Sequence, residues 1–125
     1  MQDFRKLRVW RAAQDLAVAV HGMTQTLHGT DAASLRSQVR RSALSIAANV
    51  AEGAVSGSPR QFARFLQMAI ASTSETESHL DFAIRVRLLP DAEAGKLMQD
   101  TVVLRRQLIA LRKRVLEAAN QKPGT

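Results

Sequence analysis

Apolar residues recur at steps of three or four through the second quarter of the chain, and this spacing constrains the fold more than any other feature. Such steps place residues on one face of an α-helix. The face comprises Leu35, Val39, Ala43, Ile46 and Val50. Similar patterns run over about 7–27, 59–88 and from 91 towards the end, so the sequence predicts an all-α chain of four helices in a single domain, 1–119.

Turn and cap residues separate these segments. Gly29-Thr30-Asp31 predicts a turn in which Thr30 or Asp31 caps the second helix, and Gly53 is expected to end that helix in the left-handed conformation. Ser58 before Pro59 indicates the start of the third helix, and Asp91 after Pro90 indicates the start of the fourth. Residues 120–125 are predicted to be a disordered tail.

The fourth segment carries two apolar stripes. The first stripe has the alternating spacing of a coiled-coil seam and contains Leu97, Thr101, Leu104, Leu108, Leu111, Val115 and Ala118. The second contains Met98, Val102, Ile109 and Leu116. A helix in a lone bundle has little use for so wide an apolar arc. We therefore expect another subunit to cover this side, together with the alanine-rich back of the second helix (Leu44, Ala47, Ala48, Ala51).

The third segment interrupts its apolar face with a polar layer that includes Ser72, Thr73, Thr76 and Glu77. A buried carboxylate needs hydrogen bonds or a cation, and Arg40, Arg41 and Arg87 are the candidates. The sequence predicts a structural polar network that fixes how the helices pair; the alternative is a functional site. Its predicted members are Arg40, Arg41, Asn49, Glu52 and Glu77.

Basic residues outnumber acidic ones by 18 to 11, which gives a formal net charge of +7 and a pI near 11.3. Such a chain attracts polyanions such as nucleic acid. Arginine-rich clusters bind phosphates without reading sequence; the alternatives are solvated helix faces or pairs with a neighbour's acids. The candidate nucleic-acid-binding residues form two clusters, Arg5, Lys6, Arg8 and Arg11 at the start, and Arg105, Arg106, Arg112, Lys113 and Arg114 near the end.

Catalytic chemistry has little support in the sequence. The chain contains no cysteine, and His21, His28 and His79 have no second ligand at metal-binding spacing. We expect no catalytic residue, no metal, no cofactor and no enzyme activity. Aromatic side chains that could stack on bases are scarce. No apolar run approaches the ~18 residues of a membrane span, so we expect a cytoplasmic protein with no membrane partner.

The segment RRSALSIAANVAEG (40–53) resembles the family of four-helix-bundle proteins encoded by intervening sequences in bacterial 23S ribosomal RNA genes. FRKLRVWRAAQDL (4–16), FARFLQMAIASTSETESHL (62–80) and the arginine-rich last helix match the pattern in the same order. The family is similar in fold to the accessory subunits of diversity-generating retroelements. Its members often carry Gly-Ser where this chain has Ala71-Ser72.

The resemblance implies an antiparallel up-down four-helix bundle that forms a homo-oligomer, a ring of five. Taken with the basic clusters, it implies a non-catalytic nucleic-acid-binding or scaffolding protein that holds structured RNA, similar to ribosomal RNA, by its phosphates. The alternative is a protein-interaction module whose basic face docks an acidic partner such as a reverse transcriptase.

Overall fold

Four α-helices make up most of the protein. The computed structural model describes residues 2–121, with α1 at Arg8–Met23, α2 at Thr30–Ala54, α3 at Pro59–Arg85 and α4 at Asp91–Asn120. Single 3₁₀ turns lie at Phe4–Lys6 and Thr24–Thr26, and this part of the chain contains no strand. The all-α prediction is confirmed, and Asn120, placed in the tail by the sequence, is helical. Gln121 forms a turn, and the rest of the predicted tail, 122–125, lies outside the described residues.

Two helices end earlier than their apolar patterns predict. The first gives way to a 3₁₀ turn at Thr24. The third ends at Arg85 because Arg87 adopts a left-handed conformation (φ 61°), which lets the amides of Leu88 and Leu89 donate to the carbonyl of Ala83 at 2.9 and 3.3 Å. Glycine usually occupies such a position, so an arginine there gives the sequence no visible stop signal.

Only one of the predicted N-terminal side-chain caps is observed. The Oγ of Ser58 accepts from the amide of Gln61 at 3.1 Å, with Pro59 in the first turn, as predicted. The second helix starts after Gly29 (φ 96°) and the fourth after Pro90, and neither start has a side-chain cap. Thr30, Asp31 and Asp91 are therefore first-turn residues, and the prediction that they cap these helices is wrong.

Gly53 does not end α2 in the left-handed conformation, contrary to the prediction. It is a buried helical residue, and α2 continues to Ala54. A Cβ built on Gly53 would lie 2.8 Å from the Cδ1 of Phe62 and 2.8 Å from the Cβ of Phe65. The glycine therefore allows the start of α3 to approach the end of α2 closely.

The helices share one apolar core. Helix α2 packs against α1 and α3, and α4 packs against α3 and α1. Large side chains below 2% exposure come from all four helices and include Val20, Val39, Ile46, Val50, Leu66, Leu80 and Leu108. Burying one such side chain stabilises the fold by about 1.5–3 kcal/mol. The first stripe of α4 is buried from Leu97 to Leu108, whereas Ala118 is exposed.

Along the contact between α2 and α3, residue numbers rise in α2 while they fall in α3. Ser42 meets Thr76, Ser45 meets Ser72, and Gly53 meets Phe62. The N-terminal segment joins the Gly53 side of this arrangement, since the amide of Gln2 donates to the carbonyl of Ala54 at 2.9 Å. Within residues 2–121, none of the helices is both long enough and apolar enough to cross a membrane.

Candidate nucleic-acid interface

The N-terminal basic cluster is held in place by local contacts. Its four members, Arg5, Lys6, Arg8 and Arg11, are all exposed. The carboxylate of Asp3 accepts from the amide of Arg5 at 3.1 Å, and the Arg5 guanidinium lies 5.4 Å from the centre of the Phe4 ring. That ring meets Trp10 edge to face at 5.0 Å. With the bond from Gln2 to Ala54, these contacts attach the start of the chain to the body of the protein.

The C-terminal basic cluster is divided by the fold. Nη1 of Arg105 is 2.7 Å from Oε1 of Glu77, and the Arg105 side chain is only 23% exposed. Nε of Arg112 donates to the carbonyl of Ala63 at 3.1 Å. Both side chains therefore link α4 to α3. Arg106, Lys113 and Arg114 are exposed and remain available to an external anion.

The five residues of the predicted polar network do not form one network. The guanidinium of Arg40 donates to Thr24 Oγ1 (2.8 Å) and to the carbonyl of His21 (3.1 Å), at the end of α1. The amide of Asn49 donates within α2 to the carbonyl of Ser45 at 2.9 Å. Arg41 and Glu52 are exposed, and Glu77 pairs with Arg105 of α4. The predicted partners of Glu77, namely Arg40, Arg41 and Arg87, are wrong because α4 supplies the nearest guanidinium.

Hydroxyl groups occupy the polar layer instead of charges. The Thr76 hydroxyl donates to Ser42 Oγ at 2.9 Å and lies 2.8 Å from the carbonyl oxygen of Ser72. The hydroxyls of Ser45 and Ser72 are 2.9 Å apart. Ser42 and Thr76 are almost completely buried, and every buried side-chain polar atom within 2–121 has a hydrogen-bond partner. The layer is thus neutral and satisfied, which suits a role in aligning α2 with α3.

Replacing Thr76 with valine should lower the free energy of unfolding by about 1 kcal/mol, because the shape is kept but the bonds to Ser42 and Ser72 are lost. Chemical denaturation measures the change. Thr101→Val is the matched control: Thr101 is equally buried, but its hydroxyl bonds only to the carbonyl of Leu97 in its own helix. If the layer aligns the helices, the double variant S42A/T76V loses less than the sum of its single changes. Additive losses would contradict that role.

The second stripe of α4 lies beside α3 at the surface. Met98, Val102 and Leu116 are half-buried, and Ile109 is 50% exposed. Ile109 and Leu116 line a shallow groove with Ile70, and Met98 and Val102 line another with the exposed Val103. On α2, Leu44 and Ala48 are exposed, but Ala47 is buried in the core. The predicted alanine-rich back is therefore narrower than the sequence suggests.

Charge is distributed unequally between the two ends of the protein. Gln2, Gly53, Ser58, Phe62 and Val115 line one shallow pocket, so the chain start, the α2–α3 connection and the end of α4 lie together. We divide each helix at its midpoint and call the half formed by 2–15, 43–72 and 106–121 the basic end. It holds ten Lys or Arg and four Asp or Glu, whereas the half formed by 16–42 and 73–105 holds seven of each. The charge at the basic end is therefore +6, and that of the other half is zero.

Acidic residues in first helical turns follow the same division. Helices α1 and α3 begin at the basic end, and neither has an acidic residue in its first turn. Helices α2 and α4 begin in the other half and carry Asp31, Asp91 and Glu93 there. Acids in a first turn stabilise a helix by interacting with its dipole. Their absence from α1 and α3 leaves fewer acidic residues to offset the cations of the basic end.

Two exposed arginines at the basic end are missing from the predicted site. Arg60 and Arg64 lie in the first two turns of α3. They stand alone among apolar and neutral residues in the sequence and form no run. One feature of the sequence could have indicated these arginines: no Asp or Glu occurs from 53 to 74.

Within 2–121, no group of three or more His, Cys, Asp or Glu is arranged to hold a metal ion.

Together these features define an all-α protein of four helices with its net positive charge at one end. The family model for the 23S rRNA-intervening sequence protein matches residues 5–110. The chain belongs to that family. It also resembles the crystal structure of a protein of unknown function from the S23 ribosomal protein family of Bacteroides thetaiotaomicron VPI-5482. That likeness has a TM-score of 0.76 and 24% identity, and covers 84% of this chain and 95% of the other. No curated protein matches the chain.

Proposed function

We propose that the protein is a non-catalytic nucleic-acid-binding or scaffolding protein that holds structured RNA by its phosphates. The observation that carries the proposal is the charge of +6 at the basic end. Exposed arginines and lysines attract a phosphate backbone at long range and release counterions when they bind it. The family is named for an intervening sequence of 23S rRNA, and for this reason we choose RNA as the polyanion to test.

Contacts to the backbone, without sequence readout, suit the side chains at this end. Phe62 is buried, Phe4 and Trp10 are partly buried against the core, and Phe65 is partly buried. The exposed aromatic side chain of Phe82 lies in the other half of α3. Bases would find no stacking platform at the basic end. The neutral, buried hydroxyl layer also offers no titratable group to a reaction, which supports a non-catalytic role.

The proposal includes an assembly. We propose that the helices form an antiparallel up-down bundle and that copies associate into a homo-oligomer, a ring of five. The opposed numbering of the α2–α3 contacts supports the antiparallel order, and the partly exposed second stripe of α4 supports burial against another copy. In such a ring the basic ends of the subunits would add to one cationic surface.

Binding to a fluorescently labelled RNA hairpin across a salt series tests the proposal. An assembly that contacts six to ten phosphates should lose roughly 10³- to 10⁵-fold in affinity between 50 and 200 mM salt. Fluorescence polarisation measures the affinity, and native mass spectrometry measures the subunit number. No binding at low salt, or an affinity insensitive to salt, would overturn the proposal. Tighter binding to a polyglutamate chain than to the hairpin would favour the docking of an acidic protein instead.

A further inference from the structure

We infer that the phosphate-contacting surface is the basic end itself, with Arg60 and Arg64 of α3 as central members. This inference rests on the proposed function and assigns it to residues outside the two predicted clusters. The two arginines are four positions apart, so they lie on the same side of α3. Both are exposed.

The start of α3 lies close to the elements that carry both predicted clusters. Pro59 and Phe62 line a pocket together with Gln2 and with Val115 and Ala118 of α4. The carbonyl of Ala63, next to Arg64, accepts from Arg112 of α4. The first turns of α3 therefore lie near the N-terminal segment and near the end of α4, which carry the two predicted clusters. An RNA backbone that contacts both clusters would lie close to this region.

Arg60 and Arg64 are available to an external anion because the ion pairs and the nearest acidic residues along α3 lie elsewhere. The three ion pairs within 2–121 are Arg85–Asp81, Lys96–Asp100 and Arg105–Glu77, and all lie in the other half of the protein. The nearest acidic residues along α3 begin at Glu75, about three turns beyond Arg64. Arg105 and Arg112 differ in this respect, because intramolecular partners already hold their guanidinium groups. Compared with the clusters predicted from the sequence, the proposed surface therefore includes Arg60 and Arg64 and excludes Arg105 and Arg112.

The test compares two variants that each remove two positive charges. R60Q/R64Q acts at the basic end, and R41Q/R85Q removes two exposed arginines from the other half. We expect R60Q/R64Q to bind the RNA hairpin at least about tenfold more weakly at 0.1 M salt and to lower the slope of log K against log salt by roughly 1 to 2. R41Q/R85Q should change the affinity by less than about twofold. Circular dichroism and native mass spectrometry check that both variants keep the fold and the subunit number.

A charge-conserving variant separates electrostatics from structure. R60K/R64K should bind with the affinity and salt slope of the wild type, because phosphate contacts of this kind need a cation at each position. Wild-type binding by R60Q/R64Q, equal losses in both glutamine variants, or a loss in R60K/R64K would overturn the inference while leaving the proposed function in place. Failure of the wild-type protein to bind at low salt would instead overturn the proposed function.

Discussion

Gly53→Ala is expected to lower the free energy of unfolding by about 1–3 kcal/mol, although alanine is the better helix former by about 1 kcal/mol. The new methyl group would lie 2.8 Å from the Cβ of Phe65 and 3.3 Å from the carbonyl oxygen of Phe62. These atoms belong to the backbone of α3 or are fixed to it, so rotating the Phe62 ring cannot relieve the contact. The two helices must move apart, and packing around the pair is lost. Chemical denaturation at constant protein concentration measures the effect.

Gly22→Ala is the matched control for this prediction. Gly22 is also a helical glycine, in α1, but a Cβ there would meet nothing within 4 Å. The change should be neutral or stabilising by up to about 1 kcal/mol, because alanine loses less conformational entropy in a helix. If both substitutions stabilise the protein, the close approach at Gly53 does not limit the packing of α2 on α3.

Leu108→Ala is expected to lower the free energy of unfolding by about 2–5 kcal/mol, the largest loss for any single substitution considered. Leu108 is completely buried in the core at the basic half of α4. Its removal takes away the transfer free energy of the side chain and leaves a cavity that the four helices can only partly close. Thermal and chemical denaturation both report the loss.

Ile109→Ala removes a side chain of similar size from the next position of the same helix. Ile109 is 50% exposed, so its loss should cost less than about 1 kcal/mol of the stability of the folded chain. Equal destabilisation by the two variants would contradict the placement of Leu108 in the core and Ile109 at the surface. In native mass spectrometry, I109A also reports on the proposed contact between subunits, since a smaller assembly is the result expected if another copy covers this stripe.

Helical periodicity predicted the four helices and most of the core, because apolar steps of three and four appear directly in the sequence. Leu35, Val39, Ala43, Ile46 and Val50, the face that first indicated α2, are all buried. The boundaries were less accurate where the backbone used an unexpected residue, as at Arg87. The predicted left-handed Gly53 failed for a related reason: the close approach of two phenylalanines from α3 explains this glycine, and no pattern within α2 shows it.

The candidate site was only partly predictable. Runs of basic residues identified seven cations that are exposed in the fold, but they also included Arg105 and Arg112. The partners of these two arginines, Glu77 and the carbonyl of Ala63, are 28 and 49 positions away in the sequence. Arg60 and Arg64 were overlooked for the opposite reason. They stand alone in the sequence, and they join the other cations only when the N-terminal segment, the end of α4 and the α2–α3 connection meet.

The sequence by itself determined the helical class, the family and the excess of positive charge, because periodicity, motif order and composition are properties of the chain alone. Only the tertiary structure decided where the charge lies and which cations remain exposed. Packing four helices brings half of each helix to the same end, and that arrangement separates a strongly basic end from a nearly neutral one. The sequence predicted a network of charged residues in the polar layer, whereas the structure has a neutral layer of hydroxyls there. Glu77 is paired outside the core because α4 supplies its cation.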